Sequence, residues 1–527
     1  MNKQIELLWN KAQNQEISRR AFLKMLAVGG AASMIGGWAP TTAAMTTDQP
    51  IGKFKPATYA QLPRWRGFNL HEPYSEWDLD FITEWGFDFI RLPIEYSTWT
   101  TSPGVYNEQS LKKYDQVITW ARARGIHVNL CLYRAPGYCV SEPKEPLDLW
   151  ADGSGGDNAR QQFAAQWKMF AERYRGIPAA ELSFNLVNEP PDIPGEKYAR
   201  SLGHAVAAIR EKDADRLIIA DGLAWGGKPV PELVALKVAQ STRGYLPFQI
   251  SHYRSPWFQD ADTWPVPTWP MLLNQYLYGD AKAELKKPLI LKTDFPESRQ
   301  LSITVAQVSG SAELFIKANG KIVWQKVFKP GPGSGEWEKS VFDPQWQIYL
   351  GTYNKEYSVT IPVETREIQI EVGRGDWLTF SAIRIKPFPG VSTNEVIVNP
   401  ADTNWGVLQQ TYIVDHKGVL SPINGHYFCN RETLWSDYVC PWKSFSTKYG
   451  IGIFIGEWGA YSQTPHDVTL HWMKDCLDNW RQAGIGWALW DLRGSFGVLD
   501  SERSDVAYEN YQNHKLDRKM LELLRQG

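Results

Sequence analysis

The chain has 527 residues, 43% hydrophobic and 22% charged, a balance that excludes a disordered or fibrous protein. Lys+Arg 56 against Asp+Glu 58 leaves a net charge of -2, without the basic excess that a nucleic-acid binder carries. The length exceeds one ordinary domain and suits a large α/β barrel of roughly 250 to 400 residues with an addition.

The first 44 residues do not read as fold. Ser18-Arg19-Arg20-Ala21-Phe22-Leu23-Lys24 is followed by a weakly apolar, Gly-rich stretch from Met25 to Trp38, and Thr42-Ala43-Ala44 offers a cleavage site before Met45. Paired arginines, a modest hydrophobic region and small residues at the exit make an export signal that closely resembles the twin-arginine consensus. The expectation is passage through the Tat translocase to the periplasm or the outside of the cell. Such substrates fold before export, in a reducing compartment. The five cysteines (Cys131, Cys139, Cys429, Cys440, Cys476) agree, being too few for a disulfide framework. None stands in a C-x-x-C pair, so a thiolate zinc site is not expected, and no other metal or cofactor is called for.

From about residue 60, short apolar runs alternate with amphipathic stretches, the pattern of repeated βα units. Strands are expected at 66–70, 87–92, 127–133, 181–188, 217–220, 248–251, 451–456 and 486–490. Helical spacing fills 77–85, 114–121, 163–174, 198–211 and 470–483 between them. Eight strands alternating with helices predict a (β/α)8 TIM barrel. A doubly wound open sheet would need a Gly-x-Gly-x-x-Gly turn after its first strand, which is missing.

One stretch, 285–398, loses the helical period and alternates with period two. Glu313 to Val327 reads as two strands joined by Asn319-Gly320, the strongest two-residue hairpin signal. Ile368, Ile370, Val372, Ile383 and Ile385 continue the alternation. An all-β, jelly-roll-like sandwich inserted between strands six and seven is expected. The chain then divides into a signal (1–44), a first barrel part (45–284), the insertion (285–398) and a second barrel part (399–527). The insertion is either a carbohydrate-binding module or a wall beside the barrel mouth.

Two glutamates end apolar strands. Phe184-Asn185-Leu186-Val187-Asn188-Glu189-Pro190 closes strand four, and Ile453-Phe454-Ile455-Gly456-Glu457-Trp458-Gly459 closes strand seven. Carboxylates at the C-terminal ends of barrel strands point into the face where barrel enzymes do their chemistry. Two of them, about 5 Å apart, suit glycosidic bond cleavage with retention: one protonates the leaving oxygen and the other attacks the anomeric carbon. At that spacing both do not ionise freely, so one keeps its proton near neutrality.

The ordered motifs resemble glycoside hydrolase family 5, the cellulase family. They are Arg66-Gly67-Phe68-Asn69-Leu70, Ile90-Arg91-Leu92-Pro93, Ala135-Pro136-Gly137, Asn188-Glu189-Pro190, His252 and Pro256, Gly456-Glu457-Trp458-Gly459, Trp490 and Gly494-Ser495-Phe496-Gly497-Val498-Leu499-Asp500. The resemblance implies a secreted, retaining β-glycosidase, endo-β-1,4-glucanase-like, with Glu189 as acid/base and Glu457 as nucleophile. It implies further that Asn188 bonds the sugar 2-hydroxyl, Arg91 orients Glu457, His252 positions the acid/base and Trp490 floors the subsite of the sugar being cleaved. Two positions depart from the family: Tyr133 stands where a histidine is usual, and His252-Tyr253-Arg254 replaces His-x-Tyr, leaving Arg254 at the tyrosine's place. A β-mannanase, a xyloglucan or other β-glucan hydrolase, and a carbohydrate-binding protein of weak activity remain alternatives. Trp225, Trp257, Trp264 and Trp269, from a chain with 25 tryptophans, are candidates for stacking on sugar rings. A polysaccharide or oligosaccharide is the expected partner of a monomeric protein.

Overall fold

The computed structural model describes residues 54–264, 266–271, 273–388, 395–398, 400, 405–406, 408–414, 418, 420–422 and 429–527. The twin-arginine run and the whole export signal lie outside the described residues. The chain forms two compact units, one reaching to Pro267 and resuming over Arg431–Gly527, the other spanning Thr268–Asn430. The period-two stretch at 285–398 lies within the second.

The first unit is a closed ring of eight parallel strands: β1 (Arg66–Asn69), β2 (Phe89–Glu95), β3 (His127–Ala135), β4 (Leu182–Asn185), β5 (Leu217–Asp221), β6 (Ala239–Gly244), β7 (Ile453–Trp458) and β8 (Gly486–Leu489). Each pairs with the next, and β8 returns to β1 through Arg66↔Trp487, Gly67↔Ala488 and Phe68↔Leu489. Closure leaves no unpaired edge in the ring. Helices α1 (Glu76–Glu84), α2 (Glu108–Ala123), α3 (Gly153–Arg173), α4 (Gly195–Lys212), α5 (Cys440–Tyr449), α6 (His466–Ala483) and α7 (Arg518–Gln526) accompany it. Between β5 and β6 a 3₁₀ turn, Pro231–Leu236, stands where a helix is usual.

Local signals set these boundaries. Asn107 caps α2 by accepting from the Ser110 N–H, and Ser75 and Asp78 form a capping box on α1. Gly484 ends α6 in the left-handed conformation. Along α6, Trp472, Met473, Cys476, Leu477 and Trp480 recur at helical spacing and are buried. Trp65, Phe89, Leu217, Ala239 and Phe454 gather at the strands' starts and plug that end with apolar surface.

Strand six differs from expectation. Residues 248–251 form a short helix, Phe248–Ser251, and β6 lies upstream in Ala-Gln-Ser-Thr-Arg-Gly. Its polar residues are buried without exception, so the strand has no apolar signature. Gln240 exchanges hydrogen bonds with the Val230 backbone, and Thr242 donates to the Gly226 carbonyl. Their side chains are satisfied inside the protein, as burial requires.

Among its described residues the second unit joins ten strands in one hydrogen-bonded sheet, with a 3₁₀ turn at Asp280–Lys282. Two long strands, Arg299–Ala318 and Thr365–Pro387, pair antiparallel from Arg299↔Pro387 to Ala318↔Ile368, with several bulges that bend them. Asn319 and Gly320 connect Arg299–Ala318 to Lys321–Phe328 with φ of 47° and 78°, the positive values of a two-residue hairpin turn. Ile303, Leu314, Ile316, Ile368, Ile370, Phe380 and Ile383 share one buried core. Near the ends of the unit, Met271 and Cys429 exchange backbone hydrogen bonds at 2.8 and 3.0 Å. None of the five cysteines is in a disulfide.

Gly67 of β1 passes so close to β2 that a Cβ there would stand 1.7 Å from the Phe89 carbonyl oxygen. Gly67→Ala is expected to destabilise the barrel by about 1–3 kcal/mol or more through overpacking. Thermal unfolding followed by near-UV circular dichroism checks this, and an unchanged midpoint would contradict it.

Candidate active site

The C-terminal ends of the strands converge on one polar cluster to which most strands of the ring contribute. Arg91 enters from β2, fully buried, and each of its N–H groups finds an acceptor. Nε donates to Asn185 Oδ1 at 3.0 Å, and Nη1 donates to Asn69 Oδ1 at 3.0 Å and Glu457 Oε1 at 2.5 Å. Nη2 donates to Asn188 Oδ1 at 2.7 Å and reaches Cys131 Sγ at 2.9 Å. Asn69 is held in turn by the Gly456 carbonyl, 3.0 Å from its Nδ2. Burial pushes the Cys131 thiol up to about 12, so it is a neutral neighbour.

Glu457 sits within β7. Besides Arg91, it accepts from the Tyr245 hydroxyl at 3.3 Å. Burial first, then Glu457 and Glu189, push the Tyr245 phenol well above its usual range, so it donates as a neutral group. Behind Glu457, Trp458 packs against Trp472, Trp480 and Trp487. Gly459 then passes the Trp490 carbonyl oxygen with φ of 143°, and a Cβ there would stand 2.9 Å from that oxygen.

Glu189 lies past the end of β4 with φ of 47°, a left-handed backbone that costs a non-glycine residue. Its own N–H secures that turn by donating to Asp221 Oδ2 at 2.9 Å, and its carbonyl accepts from the Tyr138 hydroxyl at 2.6 Å. Its side chain is 17% exposed against 5% for Glu457, leaving it the more open to an incoming group. Burial, then the negative charge of Glu457, push the Glu189 carboxyl up to about 8.

A second arginine joins the two glutamates. Arg243, buried at the end of β6, donates from Nε to Glu189 Oε1 at 3.2 Å and from Nη2 to Asn188 Oδ1 at 2.8 Å. The same Nη2 bonds Asp221 Oδ2 and lies 3.2 Å from Glu457 Oε1. Both carboxyl groups thus stand within reach of one planar guanidinium. Asn188 accepts from both arginines with Oδ1 and leaves its Nδ2 without a partner among the described residues.

The remaining expected residues divide. Trp490 follows β8, 4.5 Å edge-on from the His71 ring and 6.2 Å from the parallel Tyr133 ring. Tyr133 shares a hydrogen bond with Ser141 Oγ at 3.0 Å. Trp257 packs with Tyr461 and Phe496. His252 does not hold Glu189. It bonds Ser251 Oγ at 2.7 Å, lies 5.2 Å from the Tyr245 ring, and burial lowers it to about 3, so it is a neutral imidazole. Arg254 is not at the nucleophile's side, for its guanidinium covers the Tyr253 ring at 5.2 Å. Arg243-Gly244-Tyr245 occupies the place at which a His-x-Tyr triplet was sought downstream, with Arg243 on Glu189 and Tyr245 on Glu457. Asp221, Arg243 and Tyr245 were not singled out from the sequence. An Arg-x-Tyr triplet a few residues upstream was the signal for the last two.

Residues 55–249 match the family described as Cellulase (glycosyl hydrolase family 5), a segment that includes Glu189 and ends before Glu457. Endoglucanase C of Acetivibrio thermocellus is 26% identical over 193 residues, 36% of this chain and 54% of that protein. The chain therefore spans about half the length of this curated relative. A probable glucan 1,3-beta-glucosidase A of Aspergillus clavatus is 32% identical over 154 residues, 28% of this chain and 34% of that protein. A crystal structure described as a glycoside hydrolase superposes with a TM-score of 0.55 at 25% identity, over 88% of this chain and 99% of the other.

Arg91→Met is expected to cost about 3–5 kcal/mol of stability, because Glu457 loses its closest cation while still buried. Chemical unfolding of wild type and variant checks the size, and a loss below 1 kcal/mol would show that the cluster tolerates the uncompensated charge.

Proposed function

We propose that the protein is a retaining O-glycosyl hydrolase acting on a β-linked polysaccharide, a reading supported by the match of residues 55–249 to the cellulase family, glycosyl hydrolase family 5, and by the likeness to an endoglucanase. The observation that carries this is the pair of strand-end glutamates bridged by Arg243, one of them more exposed and inclined to keep its proton.

Glu457, ionised beside Arg91 and Arg243, attacks the anomeric carbon. Glu189 passes its proton to the leaving oxygen as the C–O bond breaks, leaving a glycosyl ester on Glu457 and a carboxylate at Glu189. That carboxylate then takes a proton from water, whose oxygen attacks the same carbon and frees Glu457. The unpartnered Nδ2 of Asn188 is the donor for the sugar 2-hydroxyl, and Trp490 is the ring on which that sugar rests.

The relatives' names favour a β-glucan. The name Endoglucanase C supports endo cleavage of a glucan, for which the family resemblance suggests the β-1,4 linkage, and the probable glucan 1,3-beta-glucosidase puts β-1,3 linkages on the same substrate panel. Mannan and xyloglucan complete that panel. The insertion at 285–398, within the unit Thr268–Asn430, is read as a jelly-roll-like sandwich that holds carbohydrate, a reading supported by the buried core that its bent long strands share. The Ser18–Lys24 run supports export through the Tat translocase as a folded monomer.

Glu457→Gln is expected to lower kcat by about 10⁴-fold or more while the protein stays folded. Wild type is expected to release product with the substrate's anomeric configuration, followed by NMR. Near wild-type turnover in the variant, or net inversion, would overturn the assignment. Because Glu189 acts in its protonated form, kcat/KM should fall as pH rises through about 8. This alkaline limb should vanish in Glu189→Gln assayed on an activated aryl glycoside, and a limb that persists there belongs to another group.

A further inference from the structure

Arg243 takes part in the cluster in a way that the two-glutamate scheme leaves unused. Its five N–H groups are all engaged: Nη1 with Ser241 Oγ at 3.2 Å and the Thr242 carbonyl at 3.3 Å, Nε with Glu189, Nη2 with Asn188 and Asp221. Its side chain is 4% exposed. A guanidinium so held neither turns nor loses its proton, and is a fixed positive charge.

The charges around it follow a simple count. Arg91 and Arg243 supply two positive charges, and Asp221 and Glu457 supply two negative ones, all buried. The set is neutral only while Glu189 holds its proton. Among the described residues the other titratable groups facing it include Cys131, Tyr133, Tyr138, Tyr198, Tyr245 and Tyr438, each pushed up by burial, and His71, lowered by burial to about 4, so that all are neutral. During glycosylation Glu457 becomes a neutral ester and Glu189 becomes a carboxylate. The cluster is then neutral again, with the negative charge moved from one glutamate to the other. Of the two arginines, only Arg243 touches both carboxyl groups.

We propose that Arg243 is a positioning residue that serves as the shared counterion of Glu189 and Glu457, paired with whichever of them carries the negative charge as the reaction proceeds. This rests on the glycosidase assignment and adds to it. A fixed cation makes ionised Glu189 accessible once Glu457 is esterified, and so supports the water-activating step. A histidine held neutral by burial would not supply that charge.

The test is the pH profile of Arg243→Met beside Arg243→Lys on a β-glucan and on 2,4-dinitrophenyl β-cellobioside, with circular dichroism as the control for folding. In the methionine variant the alkaline limb of kcat/KM on the glucan should move up by about one pH unit, because a cation that lowered the Glu189 carboxyl is gone. On the aryl substrate, whose leaving group needs no acid, kcat should fall by about tenfold or more and a burst should appear, because the hydrolytic step loses its base. Lysine keeps the charge, so its alkaline limb should stay within a few tenths of a unit of wild type. An unmoved limb in a folded Arg243→Met, or a limb displaced by about a full unit in Arg243→Lys, would overturn the proposal. Should the methionine variant not fold, the lysine profile decides alone. A wild type that releases no sugar from any polysaccharide or aryl glycoside would instead sink the glycosidase assignment itself.

Discussion

Two buried guanidinium groups facing two buried carboxylates set the terms for everything at the mouth of the barrel. Charges taken out of water are costly unless each is paired and its remaining hydrogen-bonding capacity is met. Arg91 and Arg243 satisfy that condition through side chains from β1, β4, β5, β6 and β7 together with Cys131 of β3. The ring of strands is what brings these groups together, since no two neighbouring strands supply enough of them. A fifth ionised group does not fit the balance, and burial, then the charge of Glu457, raises the Glu189 carboxyl accordingly.

The same constraint explains which parts of the molecule were legible in the sequence. Seven of the eight barrel strands carry apolar residues, such as Phe68, Ile90 and Phe184, whose burial marks the strand in the sequence. β6 has no such mark because Gln240, Thr242 and Arg243 are buried against polar partners, whose positions depend on residues far away in the chain. The alternation in Phe248-Gln249-Ile250 took its place, although Pro247 starts a short helix there. Glu189 and Glu457 were visible because a carboxylate stands out at the end of an apolar strand. Asp221 is also at a strand end, but its roles toward the Glu189 backbone and toward Arg243 are contacts with the neighbouring strands β4 and β6 that no local pattern records.

His252 and Arg254 illustrate a different failure. A strand at 248–251 would put the motif at His252 and Arg254, the nearest residues of suitable chemistry after it. With the strand at Ala239–Gly244, the equivalent positions are Arg243 and Tyr245, and the contacts with Glu189 and Glu457 follow from the register of β6 on β7, where Arg243 stands opposite Glu457. The difference between 248–251 and Ala239–Gly244 therefore moves two functional assignments while leaving the fold class untouched. In a parallel barrel the catalytic positions are fixed by where each strand ends, which is the least certain thing that hydropathy provides.

The bridge between Met271 and Cys429 bears on how a ring of strands tolerates so large an interruption between β6 and β7. Flexible chain joining those strands would impose a closure entropy that grows with the logarithm of its length, by about 0.6 kcal/mol for each doubling. A folded unit whose entry and exit are stapled side by side removes most of that length from the reckoning. The ring then experiences a short connector in place of a long one, and the unit's own folding carries most of the ordering that the intervening chain requires.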